Sequence, residues 1–210
     1  IAVMAGTPID TKMGAILLYN NNFNEIIEIP ISETPSEQTV FQVSDMEYKE
    51  NIINSHIDRI KKQNCNVLFV YCNSLSGSVN FEKITEKNNI RIITPMDVYR
   101  EIAFQYKNIA VISANAQGLA GIERVIFQKN REIKITGVTL LEMVKEIEKG
   151  SSPFKILEKF DFFFFFKYFE TMNIETIILG CTHFPYIKEE LEKITDLEII
   201  DPGIKMVQKI

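Results

Sequence analysis

Two short apolar runs in this chain each stop at a cysteine and pass into a helical pattern. The first is Asn66-Val-Leu-Phe-Val-Tyr-Cys-Asn-Ser74, and the second is Glu175-Thr-Ile-Ile-Leu-Gly-Cys-Thr-His-Phe-Pro185. An apolar run this short, bounded by polar residues, is the pattern of a strand buried on both faces, as in a parallel sheet covered by helices. Each run delivers a thiol, Cys72 or Cys181, and a small polar residue to the start of a helix. Helix starts offer unpaired N–H groups and positive partial charge, which favour an anion and a thiolate. Either cysteine alone reads more simply as a small buried side chain at a β-α turn, since free cysteine is among the most buried residue types. The repetition says more: it predicts two similar halves, each contributing one thiol.

The rest of the chain alternates in the same way. Residues 1–4 read as a buried strand that breaks into Ala5-Gly6-Thr7-Pro8, with Asp10 a candidate cap for a helical segment over 12–19. Residues 25–30 read as a short strand, and 32–38, with Pro35, as a loop placed to lie over a site. Over 45–63, Ile53, Ile57 and Ile60 recur at helical spacing, and His56 beside that stripe reads as a surface or boundary histidine. Cys65, at the entry to the next strand, reads as structural. Helical patterns over 81–87, 96–106 and 140–149, and one ending at 128, alternate with strands at 90–93, 109–113 and 133–138. Gly150 then sits where a helix closes in a left-handed turn. Residues 153–172 read as one long helix whose five consecutive phenylalanines, 162–166, call for burial on more than one face or at a subunit contact.

Such alternation predicts an α/β fold of two similar lobes, each a parallel sheet flanked by helices. Ligands in these folds sit at the carboxyl ends of the strands, where both thiols fall, so an active site is expected in the cleft between the lobes. The first lobe is taken as residues 1–93 plus 201–210 and carries Cys72; the second, 94–200, carries Cys181.

Composition narrows the function classes. With 210 residues, 46% hydrophobic and 24% charged, the chain has ordinary globular usage and length enough for two cores. A net charge of −5 argues against nucleic acid or an anionic membrane surface as partner, both of which want a basic face. No apolar stretch is long enough to span a bilayer; the densest, 162–166, is flanked by Asp161 and Lys167. No signal-peptide pattern is visible from Ile1 onward, and three cysteines in dissimilar contexts do not make a disulfide framework, so a reducing cytoplasm is the expected location.

Gly180-Cys-Thr-His-Phe-Pro185 resembles the glutamate racemase signature around its second catalytic cysteine, with Phe184 where tyrosine is usual. Tyr71-Cys-Asn-Ser74 resembles the segment around the first, usually Ala-Cys-Asn-Thr. Their order and separation also match, and the likeness runs from Asn66 to about Pro202. The resemblance to the aspartate/glutamate racemase superfamily implies a cofactor-independent amino-acid racemase between two α/β lobes. One cysteine thiolate takes the α-proton from one face of the amino acid, and the opposing thiol returns a proton to the other face. By the same resemblance His183 assists Cys181 and Glu148 supports that side. Asn73, Ser74 and Thr182, with Gly6 and Thr7, bind the carboxylate and ammonium of a small amino-acid substrate. No cofactor or metal is implied, and a homodimer is one expected arrangement.

The chain also departs from that pattern. Ala5-Gly6-Thr7 stands where the family's first strand ends in Asp-Ser-Gly, leaving Asp10 as a candidate substitute. No Pro-Tyr-Gly follows the second strand, and Ala114-Asn-Ala-Gln117 replaces a Thr-containing turn. These changes loosen glutamate as substrate more than they loosen the fold or the reaction type. A non-catalytic relative binding an amino acid or dicarboxylate, and a sister isomerase or decarboxylase, stand as alternatives. Zinc held by Cys72, Cys181 and His183 lacks a fourth ligand, and a Cys-His protease lacks a separate base, His56 being the only other histidine.

Overall fold

A computed structural model describes residues 1–210, apart from the side chain of Pro35. The chain forms two compact units, Ile1–Val98 with Gly203–Ile210, and Tyr99–Pro202.

The first unit runs β1 (Ala2–Ala5), α1 (Pro8–Asn20), β2 (Ile27–Pro30), α2 (Pro35–Val43), α3 (Met46–Lys61), β3 (Val67–Val70), α4 (Asn73–Ser78), α5 (Phe81–Asn88) and β4 (Arg91–Ile93). Its strands pair in parallel in the order β2-β1-β3-β4. Beyond α6 (Pro95–Ile102), the second unit runs β5 (Asn108–Ser113), α7 (Ala116–Lys129), β6 (Lys134–Thr139), α8 (Leu141–Glu148), α9 (Pro153–Lys159), α10 (Phe162–Thr171) and β7 (Thr176–Gly180). A 3₁₀ turn at Phe184–Ile187, α11 (Lys188–Glu192) and β8 (Glu198–Ile200) complete it, and α12 (Pro202–Val207) ends the chain's regular structure. The second sheet is again parallel, in the order β6-β5-β7-β8, so the first sheet's order is repeated strand for strand.

Local chemistry explains where these elements begin and end. The side chains of Thr34, Asp45, Asn80, Asn115 and Asp161 each accept the backbone N–H three residues on, capping α2, α3, α5, α7 and α10. Asn64, Asn89 and Asn173 adopt left-handed backbone angles just after α3, α5 and α10, and Gly150 (φ +76°) does so after α8. Asparagine and glycine tolerate that region best, so the chain turns back toward the sheet at these points. Ile53, Ile57 and Ile60 of α3 are fully buried on the first sheet, and burying each is worth about 1.5–3 kcal/mol against exposure.

Two local expectations change. Of the loop expected over 32–38 only 32–34 is irregular: α2 starts at Pro35, because Thr34 caps Glu37 N–H and proline is at home in a first helical turn. The helix expected over 153–172 is broken between α9 and α10, where Asp161 takes φ 47° and caps the new helix through Phe164 N–H. That break settles the phenylalanine run on a single buried face. Phe162, Phe166 and Phe169 point into the core, while Phe163 and Phe164 are exposed.

Candidate active site

In the first unit, Tyr71 N–H still donates to Met4 O at 2.7 Å, and the carbonyl of Cys72 already accepts Ser76 N–H at 3.1 Å. Cys72 is thus the residue at which β3 becomes α4, and it is only 4% exposed. Its sulfur accepts a hydrogen bond from Gln38 Nε2 at 3.4 Å and lies 3.5 Å from Ser74 Oγ. Gln42, one turn along α2 from Gln38, donates its Nε2 to Ser74 Oγ at 2.8 Å. Gly6 makes room for this group: a Cβ there would stand 2.0 Å from Gln38 Nε2.

Thr7 and Asp10 are committed to one another. Asp10 Oδ1 accepts Thr7 N–H at 2.6 Å and the Thr7 hydroxyl at 2.8 Å, and Oδ2 accepts Gly6 N–H at 3.1 Å. Thr7, rather than Asp10, is the N-cap of α1; Asp10 reaches back from the third helical position, as the acidic member of a capping box does. Asn73 opens α4 and is buried beside Cys72 in sequence.

In the second unit, β7 is buried along its whole length and ends at Gly180, where a Cβ would meet Ile122 Cδ1 at 2.9 Å and Ile112 O at 3.1 Å. Cys181 and His183 follow directly, both largely buried. His183 Nδ1 lies 3.8 Å from Cys181 Sγ, and Nε2 lies 3.2 Å from Glu148 Oε1 at the end of α8. A carboxylate only accepts, so Nε2 carries the hydrogen and Nδ1 of the neutral ring presents its lone pair to the thiol. The order Sγ–H, Nδ1, Nε2–H, carboxylate can draw a proton from Cys181 and stabilise the imidazolium that results. The structure therefore brings Cys181, His183 and Glu148 together, with Thr182 between the first two in the chain.

Gln38, Gln42 and Tyr99 belong to these surroundings and escaped the sequence reading. The signal for the glutamines lay in Thr34-Pro-Ser-Glu37, the start pattern of a capped helix, which would have set Gln38 and Gln42 on one face. Tyr99 is fully buried, and its hydroxyl is pushed well above the ordinary range by burial, then by the negative charges of Asp201 and Cys181. It is thus a neutral phenol on the Cys181 side, and nothing local in the sequence marks it.

The other singled-out residues lie elsewhere in their units. His56 stands on α3, lowered from its ordinary value by burial and then by the Arg59 cation. Cys65 donates its thiol to Val67 O at 3.3 Å, a structural contact. Among the described residues, no group of three or more His, Cys, Asp or Glu is clustered to hold a metal ion.

No protein-family model matches the chain. It is 28% identical over 162 residues to the glutamate racemase of Fusobacterium nucleatum, a match covering 73% of this chain and 58% of that protein. The chain thus spans less than two thirds of this relative's length. The crystal structure of the Francisella tularensis glutamate racemase in complex with D-glutamate matches with a TM-score of 0.72 at 21% identity, over 99% of this chain and 78% of that one. The crystal structure of an aspartate racemase homologue from Pyrococcus horikoshii matches with a TM-score of 0.69 at 15% identity, over 99% and 96% of the two chains. These two likenesses establish the α/β fold.

Proposed function

We propose that this chain, a member of the aspartate/glutamate racemase superfamily, is a cofactor-independent amino-acid racemase with Cys72 and Cys181 as its acid and base. One observation carries the reading. The two sheets share one strand order, and in each unit the thiol follows the third strand in sequence, β3 or β7, which pairs with the first. Racemisation needs two bases, one for each face of a single carbon, and the duplicated unit supplies one thiol apiece.

The step balances as follows. A thiolate takes the α-proton, and the C–H electron pair passes to the α-carbon and its carboxylate. The opposing thiol then gives its proton to the other face, leaving the first cysteine as thiol and the second as thiolate. Reaction in the opposite sense restores the starting pair. On the Cys181 side, His183 takes and returns the thiol proton and Glu148 holds the ring.

Glutamate is the first candidate substrate, since the similar proteins are glutamate racemases and the Francisella structure holds D-glutamate. Asn73, Ser74 and Thr182, with the Gly6-Thr7 turn, are the proposed carboxylate and ammonium partners. Both donors of Thr7 turn to Asp10, and its carbonyl accepts Thr11 N–H and the Thr11 hydroxyl, so the polar contact proposed for this turn falls to the Thr7 hydroxyl oxygen, an acceptor for the ammonium. Among the described residues no helix is long and apolar enough to cross a membrane, and the three cysteines are free thiols. We place the protein in the cytoplasm, and a second copy docks on the exposed aromatic face that includes Phe163 and Phe164.

The test is proton NMR in D2O with L-glutamate, L-aspartate and other L-amino acids. Loss of the Cα–H signal with loss of optical activity is expected for one of them, and Cys72→Ala or Cys181→Ala should each abolish racemisation. No exchange with any amino acid, from folded protein with reduced thiols, would overturn the reading in favour of a binding relative or a sister reaction.

A further inference from the structure

We infer that Gln38 is the positioning residue of Cys72: its side-chain amide holds the sulfur and favours its thiolate form. The assignment deepens the racemase reading and rests on it for catalytic meaning, but the contact itself is independent of any activity. Gln38 Nε2 donates to Cys72 Sγ at 3.4 Å, and Ser74 Oγ stands within 3.5 Å of both atoms. An N–H donor binds an anionic sulfur more strongly than a neutral one, so the contact favours the charged form. An amide neither gains nor loses a proton at ordinary pH, so it supports the thiolate without competing for the proton.

The surroundings are built to keep this amide in place. Gln42 Nε2 donates to Ser74 Oγ at 2.8 Å, and the backbone carbonyl of Gln42 accepts from the buried Lys49 Nζ at 3.2 Å. Gly6 leaves the space Gln38 occupies, since a Cβ there would lie 2.0 Å from Nε2 and 2.2 Å from Cδ. Three charged groups on the packed elements have partners of their own. Asp10 on α1 accepts from Gly6 and Thr7, Glu37 on α2 accepts Glu33 N–H, and Lys49 on α3 holds Gln42. The two thiols are therefore supported by different chemistry, Cys72 by a neutral amide and Cys181 by an imidazole–carboxylate pair.

The experiment is iodoacetamide alkylation of the whole folded chain across a pH series, with each cysteine followed separately by peptide mass spectrometry. Gln38→Ala is expected to slow Cys72 alkylation at neutral pH about fivefold, the usual effect of one such hydrogen bond, and to move its pH midpoint upward. Cys65 and Cys181 should keep the parental profile. Gln38→Glu, which replaces a donor with an anion, should move the Cys72 midpoint further. Gly6→Ala should reproduce the alanine effect from a different element, because only the flexible end of Gln38 has to move. These two variants decide the matter if Gln38→Ala fails to fold. An unchanged Cys72 midpoint in the folded variants would overturn the assignment, whatever the parent does to amino acids. A shifted midpoint in a chain that exchanges no Cα–H would keep Gln38 and remove the racemase reading instead.

Discussion

The imidazole of His183 meets the carboxylate of Glu148 at 3.2 Å, across 35 residues of sequence and from the last turn of α8. The contact fixes which ring nitrogen holds the hydrogen and so which one faces Cys181. Glu148→Gln keeps the shape but removes the charge and lets the amide present a donor to Nε2. For the proposed racemisation we expect kcat/KM to fall about 10–100-fold, equally for both enantiomers, mostly through kcat. Steady-state assays in both directions check this, and activity within twofold of the parent in a folded variant would remove Glu148 from the site.

Glu146, two residues before the pair's carboxylate, contributes to the second unit's stability in acid. Lys159, then Lys149, then the Ser151 hydroxyl hold its carboxyl down to about 2 from the usual 4.5. The folded state thus binds this proton more weakly than the unfolded chain, so stability rises with pH between about 2 and 4.5. On acidification the contribution is present above 4.5 and is lost as the pH drops toward 2. Melting temperatures between those limits should fall less steeply for Glu146→Gln than for the parent. Parallel curves would show that the ion pairs contribute nothing to acid resistance.

Gly180 is held to glycine by its neighbours rather than by its backbone angles. Gly180→Ala would press a methyl against Ile122, Ile112 O and Val111 Cγ1, each within 3.1 Å. Overpacking of that kind costs about 1–3 kcal/mol, and the strain falls one residue before Cys181. Urea titration should show a lower midpoint at unchanged slope. A parental midpoint would mean that β7 and α7 separate at no cost.

The strands were readable because their signal is local and uniform. β1, β3 and β7 are short unbroken apolar runs, and the sheet that buries them on both faces asks for nothing else. Cys181 and His183 were readable for a similar reason, lying two residues apart on one turn. Glu148 could be placed only by resemblance, since its partner lies a helix pair and a strand away. Gln38 was hidden because Pro35 reads as a loop residue unless the cap at Thr34 is given more weight. The break at Asp161 was hidden too, because an aspartate in a left-handed turn carries none of glycine's warning. Tyr99 owes its state to burial first and then to the charges of Asp201 and Cys181, all supplied by the fold and not by the sequence around it.

The unlike partners of the two thiols have a kinetic corollary for the proposed reaction. Mirror-image amino acids have equal free energies in water, so the equilibrium constant between them is one. The two directions must then share a single kcat/KM, however differently Gln38 and the His183–Glu148 pair treat their sulfurs. The asymmetry has one outlet, the partition of that shared ratio: the enantiomer with the lower KM must have the lower kcat, in equal proportion. An amide on one side and an imidazole on the other thus make an unequal pair of hands for a reaction whose balance point they cannot move.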